Sequence, residues 1–132
     1  MTAIHEKEAT MQYVLLIYHG TADGHPLSSG PRWESLSEKE QKGVYAEFAA
    51  LNKMESMAPG PPLGLPENAT TVRVENGSTV TSEGPYVDMK GAVGGFYVLE
   101  AEDLDAAVTI AARIPPARLG GAVEVRPSEK YW

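Results

Sequence analysis

The chain has 132 residues, 42% hydrophobic and 22% charged, with a formal charge of 11 − 18 = −7. That is the composition of an ordinary globular protein with room for one core. The acidic balance argues against a nucleic-acid backbone or an anionic membrane as partner, and the lack of cysteine excludes thiol nucleophiles, disulfides and thiolate metal sites.

The opening "MTAIHEKEATMQYVLLIYHG" lacks the order of a signal peptide. No apolar segment approaches the roughly 20 residues of a membrane helix. These features lead us to expect a cytoplasmic protein. Residues 1–10 are polar and aperiodic and read as a flexible extension, leaving 11–132 as a single domain.

"QYVLLIY", 12–18, is a continuous apolar run that suits a central strand. "HGTADGHPLSSGPRW", 19–33, is a loop, and loops of about 15 residues inside compact domains are often functional. "SLSEKEQKGVYAEFAALNKMESM", 35–57, reads as the long helix. Ser37 and Glu40 form a capping box, and Val44, Phe48, Leu51 and Met54 mark its apolar face. "APGPPLGLPENA", 58–69, cannot be helical, because proline lacks the amide hydrogen. "TTVRVENGSTVTS", 70–82, is a hairpin turning at Asn76-Gly77. "GGFYVLE", 94–100, is a strand. "AEDLDAAVTIAARIP", 101–115, is a second helix with an expected stripe of Leu104, Ala107, Val108 and Ala111, and "GAVEVRP", 121–127, is the last strand.

The order strand, helix, hairpin, strand, helix, strand predicts an α+β, ferredoxin-like βαββαβ fold with an extra hairpin. Two helices cover one sheet face. The same face of a second copy is the simplest cover for the other, so the expectation is a homodimer packed sheet on sheet, a dimeric α/β barrel.

The segments "MQYVLLIYHG", "ATTVRVENGSTVTSEGPYVDMKGAVGGFYVLEAEDLDAAVTIAARIP" and "GGAVEVRP" resemble the YCII-related proteins. They most resemble the subgroup named for an Asp-Gly-Pro-Phe motif that leads to a Gly-Gly-aromatic strand. The resemblance implies the ferredoxin-like fold and a dimeric α+β barrel. It implies little about chemistry. A few related proteins are small-molecule lyases, including a dehydrochlorinase of aromatic breakdown working through a His–Asp pair, and several of the subgroup sit beside extracytoplasmic sigma factors. This chain departs in two places. Its motif reads Glu83-Gly84-Pro85-Tyr86, and Tyr45 stands where the related enzymes carry the helical histidine. A His–Asp dyad therefore does not carry over.

From the residues themselves, the catalytic candidates are His19, Glu83 and Tyr86. His19 ends the first strand, where a barrel mouth would lie, and histidine is the acid–base residue near neutral pH. Glu83 is a general base if half-buried and a turn residue otherwise. Tyr86 has a hydroxyl that needs a partner or water. The candidate binding residues are Tyr18, His25, Arg32, Trp33, Tyr45, Asp88 and Lys90. Arg32 and Trp33 suit an anionic or planar ligand, and Lys90 an anion. Core packing competes for Tyr18, Tyr45 and Tyr97, surface roles for the rest. Two histidines and Asp23 make a weak metal signal, so neither metal nor cofactor is expected. Arg126 is expected to pair with an acid, and Trp132 to pack a tail. The function read from this pattern is cofactor-independent proton transfer on a small organic molecule, as in a lyase, isomerase or cyclase. The alternative is a non-catalytic dimeric module that binds a ligand or regulates.

Overall fold

The computed structural model describes residues 10–129. Residues 1–9 of the expected extension, and Trp132, lie outside them.

The first strand, β1 (Met11–Tyr18), is central, as its apolar run predicts. It pairs antiparallel with β5 (Gly95–Ala101) on one side and β6 (Ala122–Pro127) on the other. The register sets Leu15 opposite both Tyr97 and Val125, and Tyr13 opposite Leu99. Because side chains alternate across a strand, this fixes one face as Tyr13, Leu15, Ile17, Tyr97 and Leu99, all buried. The opposite face carries Val14, Leu16, Tyr18, Phe96 and Val98, all half-buried.

A one-turn helix, α1 (Pro31–Glu34), closes the long loop after β1. The main helix, α2 (Glu38–Asn52), begins at the expected capping box. Glu40 N–H donates to Ser37 Oγ at 3.1 Å, and Ser37 N–H to the Glu40 carboxylate at 2.9 Å. Val44 and Leu51 are buried and Phe48 and Met54 half-buried, so its apolar face is as the spacing predicts. The helix ends earlier than expected. Met57–Pro59 form a short strand, β2, that places Met57 opposite Leu99 of β5. Sequence periodicity cannot register three residues that end in a proline. Burial of Met57 against the core decides their conformation instead.

The hairpin β3 (Thr70–Glu75) and β4 (Ser78–Glu83) turns at Asn76 (φ 51°) and Gly77 (φ 80°), the two positive angles such a turn requires. It forms its own two-stranded sheet. The principal sheet has the order β2-β5-β1-β6, so the hairpin is an insertion into an α+β, ferredoxin-like frame whose second strand is β2. The sheet is open at β2 and β6.

The second helix, α3 (Leu104–Ala111), is capped by Asp103, whose carboxylate accepts from Ala106 N–H at 2.8 Å. Its inward side is not the predicted stripe. Ala107 and Ala111 are buried, but Leu104 and Val108 are 53% and 49% exposed. Small side chains let α3 approach the sheet closely, and Ile110 and Ile114 complete the packing. The buried core therefore joins Tyr13, Leu15, Leu51, Leu99 and Ile114 between sheet and helices.

Two substitutions test this packing. Leu51→Ala removes a fully buried side chain and is expected to lower stability by about 2–5 kcal/mol in chemical denaturation. Ser37→Ala removes one half of the capping box and is expected to cost about 0.5–2 kcal/mol.

Candidate functional site

The end of β1 is where the sheet meets the long loop. Gly94 N–H donates to the Ile17 carbonyl at 2.7 Å, extending the β1–β5 pairing one step past the strands. This brings the backbone of Gly94 flat against the imidazole of His19. A Cβ at position 94 would lie 2.3 Å from His19 Cδ2 and 2.4 Å from Nε2. No side chain fits there while the ring keeps its place, so Gly94, the residue before β5, is a seat for the histidine ring.

The other edge of the ring is enclosed too. His19 Nδ1 is buried and has no hydrogen-bond partner. An unpaired buried polar atom costs about 1–3 kcal/mol. Burial pushes the His19 pKa below its ordinary 6.5, because desolvation penalises the imidazolium. His19 is therefore a neutral imidazole at pH 7.

Three cavities meet at this ring. The largest, of about 420 Å³, lies between the end of β1, the loop and the 119–120 turn, and includes Leu27, Arg32 and Leu119 in its wall. A second, of about 110 Å³, runs toward α2 past Trp33, Tyr45 and Phe48. A third, of about 20 Å³, opens beside Pro66 and Gly94. The walls of the two larger cavities are mainly apolar, which suits desolvated acid–base chemistry.

The remaining candidates divide among these spaces and the surface. Arg32 shares the large cavity with His19. Trp33 and Tyr45 meet edge to face, with ring centroids 5.2 Å apart at 70°, and both line the cavity toward α2. Trp33 is buried, whereas Tyr45 is 60% exposed. Tyr18, Asp88 and Lys90 border a shallow space of about 400 Å³ on the opposite side of the sheet. There Asp88 is occupied in a turn, accepting from Gly91 N–H at 2.7 Å. Tyr97 belongs to the core and donates its hydroxyl to Asn52 at 2.9 Å, and burial raises its pKa.

Glu83 and Tyr86 are elsewhere. Glu83 is exposed at the end of β4. The turn after it is held by backbone: Gly84 N–H donates to Ala69 O at 2.8 Å, and Thr71 Oγ1 donates to Gly84 O at 2.7 Å. Tyr86, 80% exposed, edges an apolar groove of about 350 Å³ with Leu63, Leu65 and Val87. That groove borders the small space beside His19 through the shared Leu65, Pro66 and Val93. Within one chain, His19, Glu83 and Tyr86 do not face a common cavity.

His25 is bound by two carboxylates. Its Nε2 lies 2.8 Å from Glu67, and its Nδ1 lies 3.4 Å from Asp23. The backbone N–H of His25 also donates to Asp23, and this bond first of all holds the Asp23 carboxyl below its usual range. Glu67 is held down as well, by its own backbone N–H and then by His25. This cluster ties the long loop to the segment before the hairpin. Glu67 has no local sequence signal, since it lies 42 residues from its partner. Among the described residues, no group of three or more His, Asp or Glu side chains is disposed to hold a metal ion. Arg126 pairs with Glu124, and no helix of the described residues is long and apolar enough to cross a membrane.

The chain is 30% identical over 100 residues to an uncharacterised protein of Rhizobium meliloti (strain 1021), an alignment spanning 72% of this chain and 81% of that one. The model of the YCII-related domain matches residues 11–129, which include the His19 seat, the hairpin and all three helices. This chain belongs to the YCII-related family.

Proposed function

We propose that this protein is a small-molecule enzyme that moves a proton without a cofactor, with His19 as the acid–base group. The observation that carries this reading is the half-buried His19 ring, whose enclosed Nδ1 has no protein hydrogen-bond partner, set where three cavities meet. An unsatisfied buried polar atom calls for an explanation, and a catalytic role is the one that the surrounding cavities favour. Its lowered pKa supplies the neutral base at physiological pH. In the reaction the imidazole takes a proton from a substrate carbon. If a double bond adjoins that carbon, the bond shifts and the imidazolium returns the proton at its far end, which completes an allylic isomerisation. If the carbon's electron pair instead expels an anionic leaving group, a double bond forms and the reaction is a lyase-type elimination.

The functional unit in this reading is a homodimer. Support comes from the sheet face bearing Val14, Leu16, Tyr18, Phe96 and Val98, while the buried helix residues Leu51, Ala107 and Ala111 pack on the other face. A second copy would also roof the shallow space beside Tyr18 and Lys90. Leu16→Glu is expected to give monomers in sedimentation velocity where the unchanged protein gives dimers. A monomeric unchanged protein overturns the dimer.

The proton-transfer reading is tested by solvent deuterium exchange into a panel of small carbonyl and carboxylate compounds. The unchanged protein is expected to catalyse exchange into at least one. His19→Gln is expected to lower the rate by about 100-fold or more. Equal rates remove His19 from the chemistry, and no exchange with any compound favours a binding module.

Stability gives an independent check. The folded-state pKa of His19 lies below its unfolded value of 6.5, so the unfolded chain takes up the proton first as pH falls. The stability this neutral histidine confers is complete above 6.5 and declines as pH drops through that value. The lowered carboxyls of Asp23, Glu40 and Glu67 lose their contribution only at lower pH. His19→Gln is therefore expected to flatten the fall in Tm between about pH 7.5 and about pH 5.5. An unchanged slope contradicts a desolvated His19.

A further inference from the structure

We infer that the large cavity beside His19 takes a small carboxylate with an apolar body, held by Arg32. This names the substrate class of the proposed site and rests on the reading of His19 as its proton-transfer group.

The polar side chains around the cavity are accounted for, with two exceptions. Thr21 Oγ1 donates to His25 O at 2.8 Å. Ser29 Oγ donates to Pro26 O at 2.7 Å. Asp23 is turned to His25 through the backbone N–H at 3.0 Å and the ring at 3.4 Å. That leaves His19 and Arg32. Among the described residues, Arg32 and Arg113 have no carboxylate partner; Arg113 donates to Met54 Sδ at 3.8 Å, whereas Arg73 pairs with Glu75, Arg118 with Glu47 and Arg126 with Glu124.

Arg32 is also placed by the backbone. A Cβ at Gly120 would lie 2.9 Å from both Cζ and Nε of Arg32, so the guanidinium rests against a position where only glycine leaves it room. A guanidinium seated in a cavity wall and lacking an acid presents fork-shaped donors to a ligand, and a carboxylate is their planar, bidentate match. The protein as a whole carries −7, which repels anions at long range. Binding of an acid therefore depends on this local cation. Leu27 and Leu119 provide an apolar wall for the rest of the molecule, and about 420 Å³ is within the range of small-ligand clefts.

The test is an NMR titration of the full 15N-labelled chain with benzoate, 4-hydroxybenzoate and phenylacetate, each beside its neutral primary amide. At least one acid is expected to move the Arg32 Nε–H and Gly120 signals and to bind about tenfold or more tightly than its amide. Arg32→Ala should bring the acid down to the level of the amide, and Arg32→Lys should restore part of the difference. Because Arg32 is exposed, the variants are expected to keep the unchanged protein's spectrum elsewhere. Acids and amides binding alike, an Arg32→Ala protein that binds the acid unchanged, or no acid binding at millimolar concentration would each overturn the assignment. The two readings fail separately. An Arg32 site that holds while His19→Gln leaves deuterium exchange intact removes the acid–base role alone. Loss of exchange in His19→Gln with Arg32→Ala binding unchanged removes the carboxylate site alone.

Discussion

The antiparallel register of β1 with its two neighbours is the constraint on which the rest depends. Slipping either pairing by one residue would turn Tyr13, Leu15 and Ile17 to the wrong face, because side chains alternate with period two. The two ladders share Leu15 as a common point, opposite Tyr97 and Val125. That register also decides what stands just beyond the strand. The bond from Gly94 N–H to Ile17 O continues the β1–β5 ladder, and it is this continuation that presses Gly94 against the His19 ring. Core and candidate site are thus set by the same pairing.

A cost is concentrated at that point. A buried imidazole nitrogen is left unpaired, while the other buried side-chain polar atoms of the described residues find partners. The capping box of α2, the Asp103 cap of α3 and the Tyr97–Asn52 bond show how the frame satisfies its own polar groups. Native frames accept such exceptions where a group has to stay available. The long loop then encloses the histidine, and the His25 cluster pins that loop by joining Asp23 and Glu67. The loop's length is used to cover the strand end.

Much of the fold was legible in the sequence because it rests on local signals. The Ser37–Glu40 box, the Asn76-Gly77 turn and the apolar run of β1 each act over a few residues. The family motifs were legible too, down to the Gly-Gly pair whose first member, Gly94, seats His19. What was not legible depends on tertiary packing. β2 exists because Met57 reaches the core beside Leu99, and the prolines at and beyond its end disguise it. The stripe on α3 was misplaced because alanines were chosen for closeness to the sheet over the larger Leu104 and Val108. At the site, sequence grouped His19 with Glu83 and Tyr86 as catalytic candidates and set Arg32 among seven binding candidates. The Glu83-Gly84-Pro85-Tyr86 motif instead shapes a backbone turn, and only the path of the chain shows that it faces a different space. The His25–Glu67 contact spans 42 residues, beyond the reach of any spacing rule.

Both edges of the principal sheet are poor templates for a further strand. On one side β2 is three residues long and ends in Pro59, which has no N–H to offer. On the other, β6 ends in Pro127 and carries the Glu124–Arg126 ion pair. Short strands, proline and paired charge are the devices by which natural sheets refuse an incoming strand. Association through this sheet is thereby restricted to its faces, and a face-to-face contact is finite where an edge-to-edge contact can repeat without end. The features that made β2 hard to read in the sequence also close that edge of the principal sheet to an incoming strand.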